Sequence, residues 1–110
     1  MTLFEQYKND IPALCKNYRV KSLYAFGSVL TKQFSQNSDI DLIVEFDNID
    51  VSSYADNYFN FKFSLEDIFN RHIDLLEEKA ITNPYFKKAI SQNRQLIYGT
   101  AKQSYVHSCI

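Results

Sequence analysis

Phe26-Gly27-Ser28, a spacer of ten residues, and then Asp39-Ile40-Asp41-Leu42-Ile43-Val44-Glu45-Phe46 form the stretch on which the fold turns. Val20 to Phe26 is almost wholly apolar, the pattern of a strand covered on both sides. Gly27-Ser28 breaks it. Ile40 to Phe46 alternates cleanly: Ile40, Leu42 and Val44 share one face, and Asp39, Asp41 and Ile43 share the other. Acid on a strand face is unfavourable unless its charge has a partner. Two carboxylates one residue apart leave the strand together, their Cα atoms roughly 6.5 Å apart. A hard divalent cation such as Mg²⁺ suits that pair, since it takes carboxylates together with substrate phosphates. A glycine without Cβ lets backbone approach an anion, and a serine opening a short helix adds donors for it. Alone, Asp-x-Asp reads as a solvated sheet face and Gly-Ser as a capped turn. Together they point to nucleotide chemistry.

A third acid has matching context. Asp74 sits in His72-Ile73-Asp74-Leu75-Leu76, again flanked by apolar strand residues. If that strand neighbours the Asp39–Asp41 strand, three carboxylates surround one site, the set needed for two-metal in-line displacement at phosphorus. Asp47, Asp50, Asp56 and Asp67 fall in loops or on polar helix faces and read as solvating charges. Neither His72 nor His107 is assigned a role.

Outward from this core the elements follow. Leu3 to Asn17 is helical and broken near Pro12, where either Asp10 caps a second helix or the helix kinks. Val29 to Phe34 gives one or two helical turns and Ser35 to Ser38 a polar loop. Tyr54 to Asn70 is the longest helix, with Tyr58, Phe61, Leu65, Ile68 and Phe69 as its buried stripe. His72 to Glu77 is the third strand. Thr82 or Asn83 caps a helix that starts at Pro84 and runs through Gln92. Leu96 to Tyr98 is a short strand or extended segment; Tyr98 is read as a packing residue, with stacking on adenine as the alternative. The order predicts a single α/β (α+β) domain with a small mixed β-sheet packed by helices. It spans residues 1–99, and residues 100–110 form a polar C-terminal tail.

Composition narrows the function classes. A net charge of −1 over 110 residues provides no basic field for direct nucleic-acid binding. No apolar run is long enough to span a membrane and the N-terminus lacks signal-peptide order, so the expected location is cytoplasmic. The two cysteines, Cys15 and Cys109, have no CxxC neighbour and read as free thiols rather than as a zinc site. Tyr54, Tyr58, Phe59, Phe61 and Phe63 crowd one helix and Tyr85 and Phe86 the next; most would be core, with the excess available as a docking patch.

Gly27-Ser28, the spacer, Asp39-Ile40-Asp41 and the later strand residue Asp74 resemble the signature of the minimal nucleotidyltransferases (MNT) of the DNA polymerase β superfamily. The resemblance covers Val20 to Gly99. It implies a polymerase β-like fold with a three-stranded mixed sheet, and a site for ATP with two Mg²⁺ ions. Asp39, Asp41 and Asp74 would be the catalytic and metal-holding residues, Asp74 also helping to deprotonate the acceptor hydroxyl. Gly27 and Ser28 would hold the triphosphate. Relatives often continue the Gly-Ser pair with Ala-Arg-Gly. This chain has Val29-Leu30-Thr31-Lys32, so Lys32 becomes the expected cation on the phosphates, as a point charge. A free-standing domain of this kind is similar to the antitoxin half of HEPN–MNT toxin–antitoxin pairs. There AMP is transferred from ATP to a tyrosine of the HEPN toxin. Two alternatives stay open: an antitoxin that binds and neutralises a toxin without catalysis, and transfer to a small-molecule hydroxyl such as an aminoglycoside. A homo-oligomer also stays open.

Overall fold

The computed structural model describes residues 3–27 and 38–99. Ser28, Lys32, the expected Val29–Phe34 helix, the expected Ser35–Ser38 loop except Ser38, Cys109 and the expected polar tail lie outside those residues. The chain enters through two short helices, α1 (Leu3–Gln6) and α2 (Asp10–Asn17). The break falls before Asp10, with Asn9 at the N-cap position and Pro12 inside the first turn of α2, where a missing N–H costs nothing.

Strands β1 (Val20–Phe26) and β2 (Ile40–Phe46) have the expected bounds. They pair antiparallel, with Phe26 opposite Asp41, Ala25 opposite Leu42 and Tyr24 opposite Ile43. Helix α3 (Val51–Phe69) then crosses over to β3 (Ile73–Glu77), which lies parallel to β2. α3 begins three residues before the expected Tyr54, because its first turn (Val51, Ser52, Ser53) is solvent-exposed and carries no buried stripe. It stops at Asn70, which takes the left-handed conformation at φ 53°. A 3₁₀ turn (Glu78–Ala80), helix α4 (Pro84–Gln92) and strand β4 (Gln95–Gly99) complete the described chain. Asn83 caps α4: its side-chain oxygen accepts from the backbone N–H of Tyr85 at 2.9 Å and of Phe86 at 3.2 Å.

The sheet has four strands in the order β3-β2-β1-β4, with β4 antiparallel to β1. The three-stranded expectation is corrected by β4: the short Leu96–Tyr98 segment pairs along β1 and becomes an edge strand. The period-two alternation of β2 sorts its residues between two cores. Ile40, Leu42 and Val44 join the main cluster with Phe61, Leu65 and Phe69 of α3 and Ile11 and Cys15 of α2. Tyr98 is partly buried against this same cluster, so it packs. On the opposite face Tyr24 and Ile43 pack with Ile90 of α4 in a smaller cluster, joined by Phe26 and Ile81. Sheet faces are thus covered by α2 and α3 on one side and by α4 on the other. No helix among the described residues is long and apolar enough to cross a membrane.

Polar contacts hold β3 to α3. The Tyr58 hydroxyl donates to the Leu75 carbonyl, the Tyr54 hydroxyl donates to Glu77 at 2.6 Å, and the Ile73 N–H donates to Glu66 at 3.1 Å. Leu75 and Ile73 flank Asp74, so α3 fixes the strand that presents this acid.

Candidate active site

The register of the sheet builds the site. Phe26 on β1 pairs with Asp41 on β2, and Asp41 pairs with Asp74 on β3. Paired residues of neighbouring strands share a face, so the three side chains form one transverse row. It lies on the α4 side, since Ile43 two residues along β2 belongs to the smaller cluster. Ile43 is fully buried, Asp41 is half-buried, and Asp39 and Asp74 are exposed. The acids therefore stand where the covered part of the face ends.

Burial pushes the Asp41 carboxyl above its ordinary value, and the negative charges of Asp74 and Asp39 raise it further. A hydrogen bond with Asp74 adds to the shift and His72 opposes it. Asp39 is turned to His72, its Oδ2 lying 3.5 Å from Nδ1, in an exposed pair. Accordingly no group of three or more acid, histidine or cysteine side chains converges on one point among the described residues. The donor set nevertheless fits Mg²⁺: hard carboxylate oxygens, with Asp41 and Asp74 paired across β2 and β3 and a third acid, Asp39, immediately before β2.

Gly27 closes the site from the β1 end. It has φ +78°, and a Cβ there would lie 2.7 Å from Oδ2 of Asp41. The turn after β1 and the β2 carboxylate are in contact, which only a residue without a side chain allows. Of the sequence-derived candidates, Gly27, Asp41 and Asp74 come together directly. Asp39 stands beside them, facing His72. Ser28 and Lys32 lie outside the described residues. Sequence reasoning missed His72. The signal was available in His72-Ile73-Asp74, the same two-residue spacing as Asp39-Ile40-Asp41. It also missed Phe26 as the neighbour of Asp41, since that pairing depends on register across the spacer.

Comparison with known proteins bears on the family and the fold. Residues 9–103 match the family described as "Polymerase beta, Nucleotidyltransferase". The chain belongs to this nucleotidyltransferase family. It is 41% identical over 81 residues to "Putative protein adenylyltransferase MJ1379" of Methanocaldococcus jannaschii, covering 74% of this chain and 78% of that protein. Among solved structures it is similar to a chain of a toxin–antitoxin structure with AMP-PNP, with TM-score 0.67, 19% identity, and coverage of 93% of this chain and 81% of that one. It is also similar to a chain of the Shewanella oneidensis complex of a tri-AMPylated HEPN toxin with an MNT antitoxin. There the TM-score is 0.63 at 17% identity, covering 94% of this chain and 79% of that one. These two likenesses establish a shared minimal nucleotidyltransferase fold, a small mixed sheet with helices.

Proposed function

We propose that this chain is a magnesium-dependent protein adenylyltransferase that moves AMP from ATP to a tyrosine hydroxyl of a helical, HEPN-type toxin, and so acts as its antitoxin. The carrying observation is the pairing of Asp41 with Asp74 in one row, with Gly27 against Asp41. The name of the M. jannaschii relative and the AMPylated toxin of the S. oneidensis complex support the choice of AMP and of a protein acceptor. AMP-PNP in the other complex supports ATP as the donor. Cytoplasmic location goes with such a partner and donor.

In this reading Asp39, Asp41 and Asp74 hold the metal, and Gly27, Ser28 and Lys32 hold the triphosphate. When bound, Mg²⁺ supplies neutralisation of phosphate charge and alignment of the entering and leaving oxygens. The protein supplies position. Gly27 brings backbone to the phosphates with no side chain in the way. Asp41, on β2 between β1 and β3, is placed by the strand register on both sides. Asp74, exposed at the β3 end of the row, takes the proton from the acceptor hydroxyl. The phenol oxygen forms its bond to the α-phosphorus, the α–β bridging P–O bond breaks, and pyrophosphate leaves toward the Gly27 turn. Phe59 and Phe63, stacked at 6.1 Å and 48% and 53% exposed on α3, offer apolar surface to a protein partner.

The test is incorporation of labelled AMP into a HEPN-type partner with ATP and Mg²⁺, comparing the wild type with Asp41→Asn and Asp74→Asn. Loss of transfer in both variants, with tight partner binding retained, is expected. Full transfer by both would refute the assignment. Tight binding with no transfer by the wild type would favour the non-catalytic antitoxin.

A further inference from the structure

The row that carries the acids has one member that proton transfer and phosphate binding leave unused. Phe26 is the cross-strand partner of Asp41, and its ring meets Phe86 of α4 edge to face, with centroids 6.2 Å apart. Phe26 is half-buried and Phe86 is 41% exposed. Phe26 packs against the smaller core on one side, and the part of the pair left uncovered presents aromatic surface beside the carboxylates. Both rings are anchored. Phe26 ends β1, while Phe86 sits in the first turn of α4, fixed by the Asn83 cap and by Ile90, which is buried against Tyr24 and Ile43.

Given the site reading above, on which this inference rests, chemistry assigns the sides of the row. The acceptor hydroxyl lies at the β3 side, where Asp74 can take its proton. The leaving pyrophosphate lies at the Gly27 turn. The transferred nucleotide also carries a flat base, one ribose away from the phosphorus, that needs an apolar face. Phe26 and Phe86 offer that face on the side toward α4. We propose that Phe26 and Phe86 form the platform on which the base of the nucleotide stacks, so that the first turn of α4 contributes to nucleotide affinity.

A ligand with a base and one without separate this role from a structural one. Affinities for ATP and for inorganic tripolyphosphate are measured on wild type and Phe86→Ala. Loss of one stacking ring should weaken ATP roughly tenfold. Tripolyphosphate, which has no base, should bind both proteins equally. The chain contains no Trp, so Phe86→Trp adds a single reporter at the platform. Its emission should be quenched by ATP and unchanged by tripolyphosphate, a readout that does not depend on Phe86→Ala folding. Wild-type ATP affinity in Phe86→Ala, equal weakening of both ligands, or no ATP-specific quenching in Phe86→Trp would overturn the platform. The acid site is judged separately by transfer in Asp41→Asn. If that variant is inactive while Phe86→Ala binds ATP normally, the platform falls and the acid site stands.

Discussion

Gly27→Ala tests the contact between turn and carboxylate, and its two effects have different sizes. At φ +78° an L-residue is in the left-handed region, which costs about 1–2 kcal/mol. The new Cβ would also lie 2.7 Å from Asp41 Oδ2 while staying 3.6 Å from Cγ. Only the carboxylate oxygen is too close, and the terminal torsion of an aspartate is soft. Rotating it away costs little folding energy but moves an oxygen that, in the proposed function, would meet the metal. A displacement of about 1 Å at such a group can lower a rate by ~10²-fold. Urea denaturation should therefore show a loss of about 1–2 kcal/mol, which for a domain of this size lowers the thermal midpoint by roughly 4–16 °C. AMP transfer measured at a temperature where the variant is folded should fall by ~10²-fold. In an Asp41→Ala background the same Gly27→Ala change should keep its stability effect, because φ and not the carboxylate dominates it. Wild-type transfer by folded Gly27→Ala would refute the claim that this contact positions Asp41. Wild-type stability would refute the strained turn.

Tyr58→Phe removes the hydroxyl that bonds the Leu75 carbonyl next to Asp74; denaturation should register about 0.5–1.5 kcal/mol of lost stability. Glu78 and Arg94 form a nearly buried ion pair at 3.0 Å, with the Arg94 guanidinium 3.9 Å from the Tyr24 ring centroid. Glu78→Ala should destabilise by about 3–5 kcal/mol, and a double variant with Arg94→Met by less than the sum, measured as a double-mutant cycle. Burial pushes the Cys15 thiol from 9.0 up to about 12. The folded state thus favours the protonated thiol, a contribution fully present below pH 9 that is lost as pH rises through about 12. In a Cys109→Ser background, native protein at pH 8 should react with a thiol reagent far more slowly than urea-unfolded protein, since it holds roughly a thousandfold less thiolate.

What the sequence made legible was local. The bounds of β1 and β2, the sorting of Ile40, Leu42 and Val44 against Ile43, and the Asn83 cap with Pro84 behind it all rest on patterns within a few residues. Asp41 and Asp74 were paired in expectation only on the condition that their strands be neighbours, and the parallel β2–β3 register meets that condition. The parts that were illegible are long-range. β4 is five residues with Leu96 exposed and the remainder at most half-buried, so its hydrophobic pattern is weak. It becomes a strand because β1 offers it an edge. The Asp39–His72 pair joins residues from two strand entries, and Phe26 reaches Asp41 through the register of β1 against β2. Tertiary pairing decides these contacts, and no periodicity encodes it.

The edge of the candidate site is set by where α4 begins. Along the same face of β2, Ile43 is fully buried and Asp41, one pleat away, is half-buried. Ile90 covers the first and Phe86, one turn earlier on α4, reaches only as far as the Phe26 ring beside the second. A helix extended toward the acids would bury charge without a partner, at a cost of several kcal/mol per ion. A helix retracted from them would expose Tyr24 and Ile43, both now buried. The Asn83 cap and Pro84 place the start of α4 between those limits. The boundary between core and chemistry is therefore one residue pair wide, and it falls on the row in which Asp41 meets both Phe26 and Asp74.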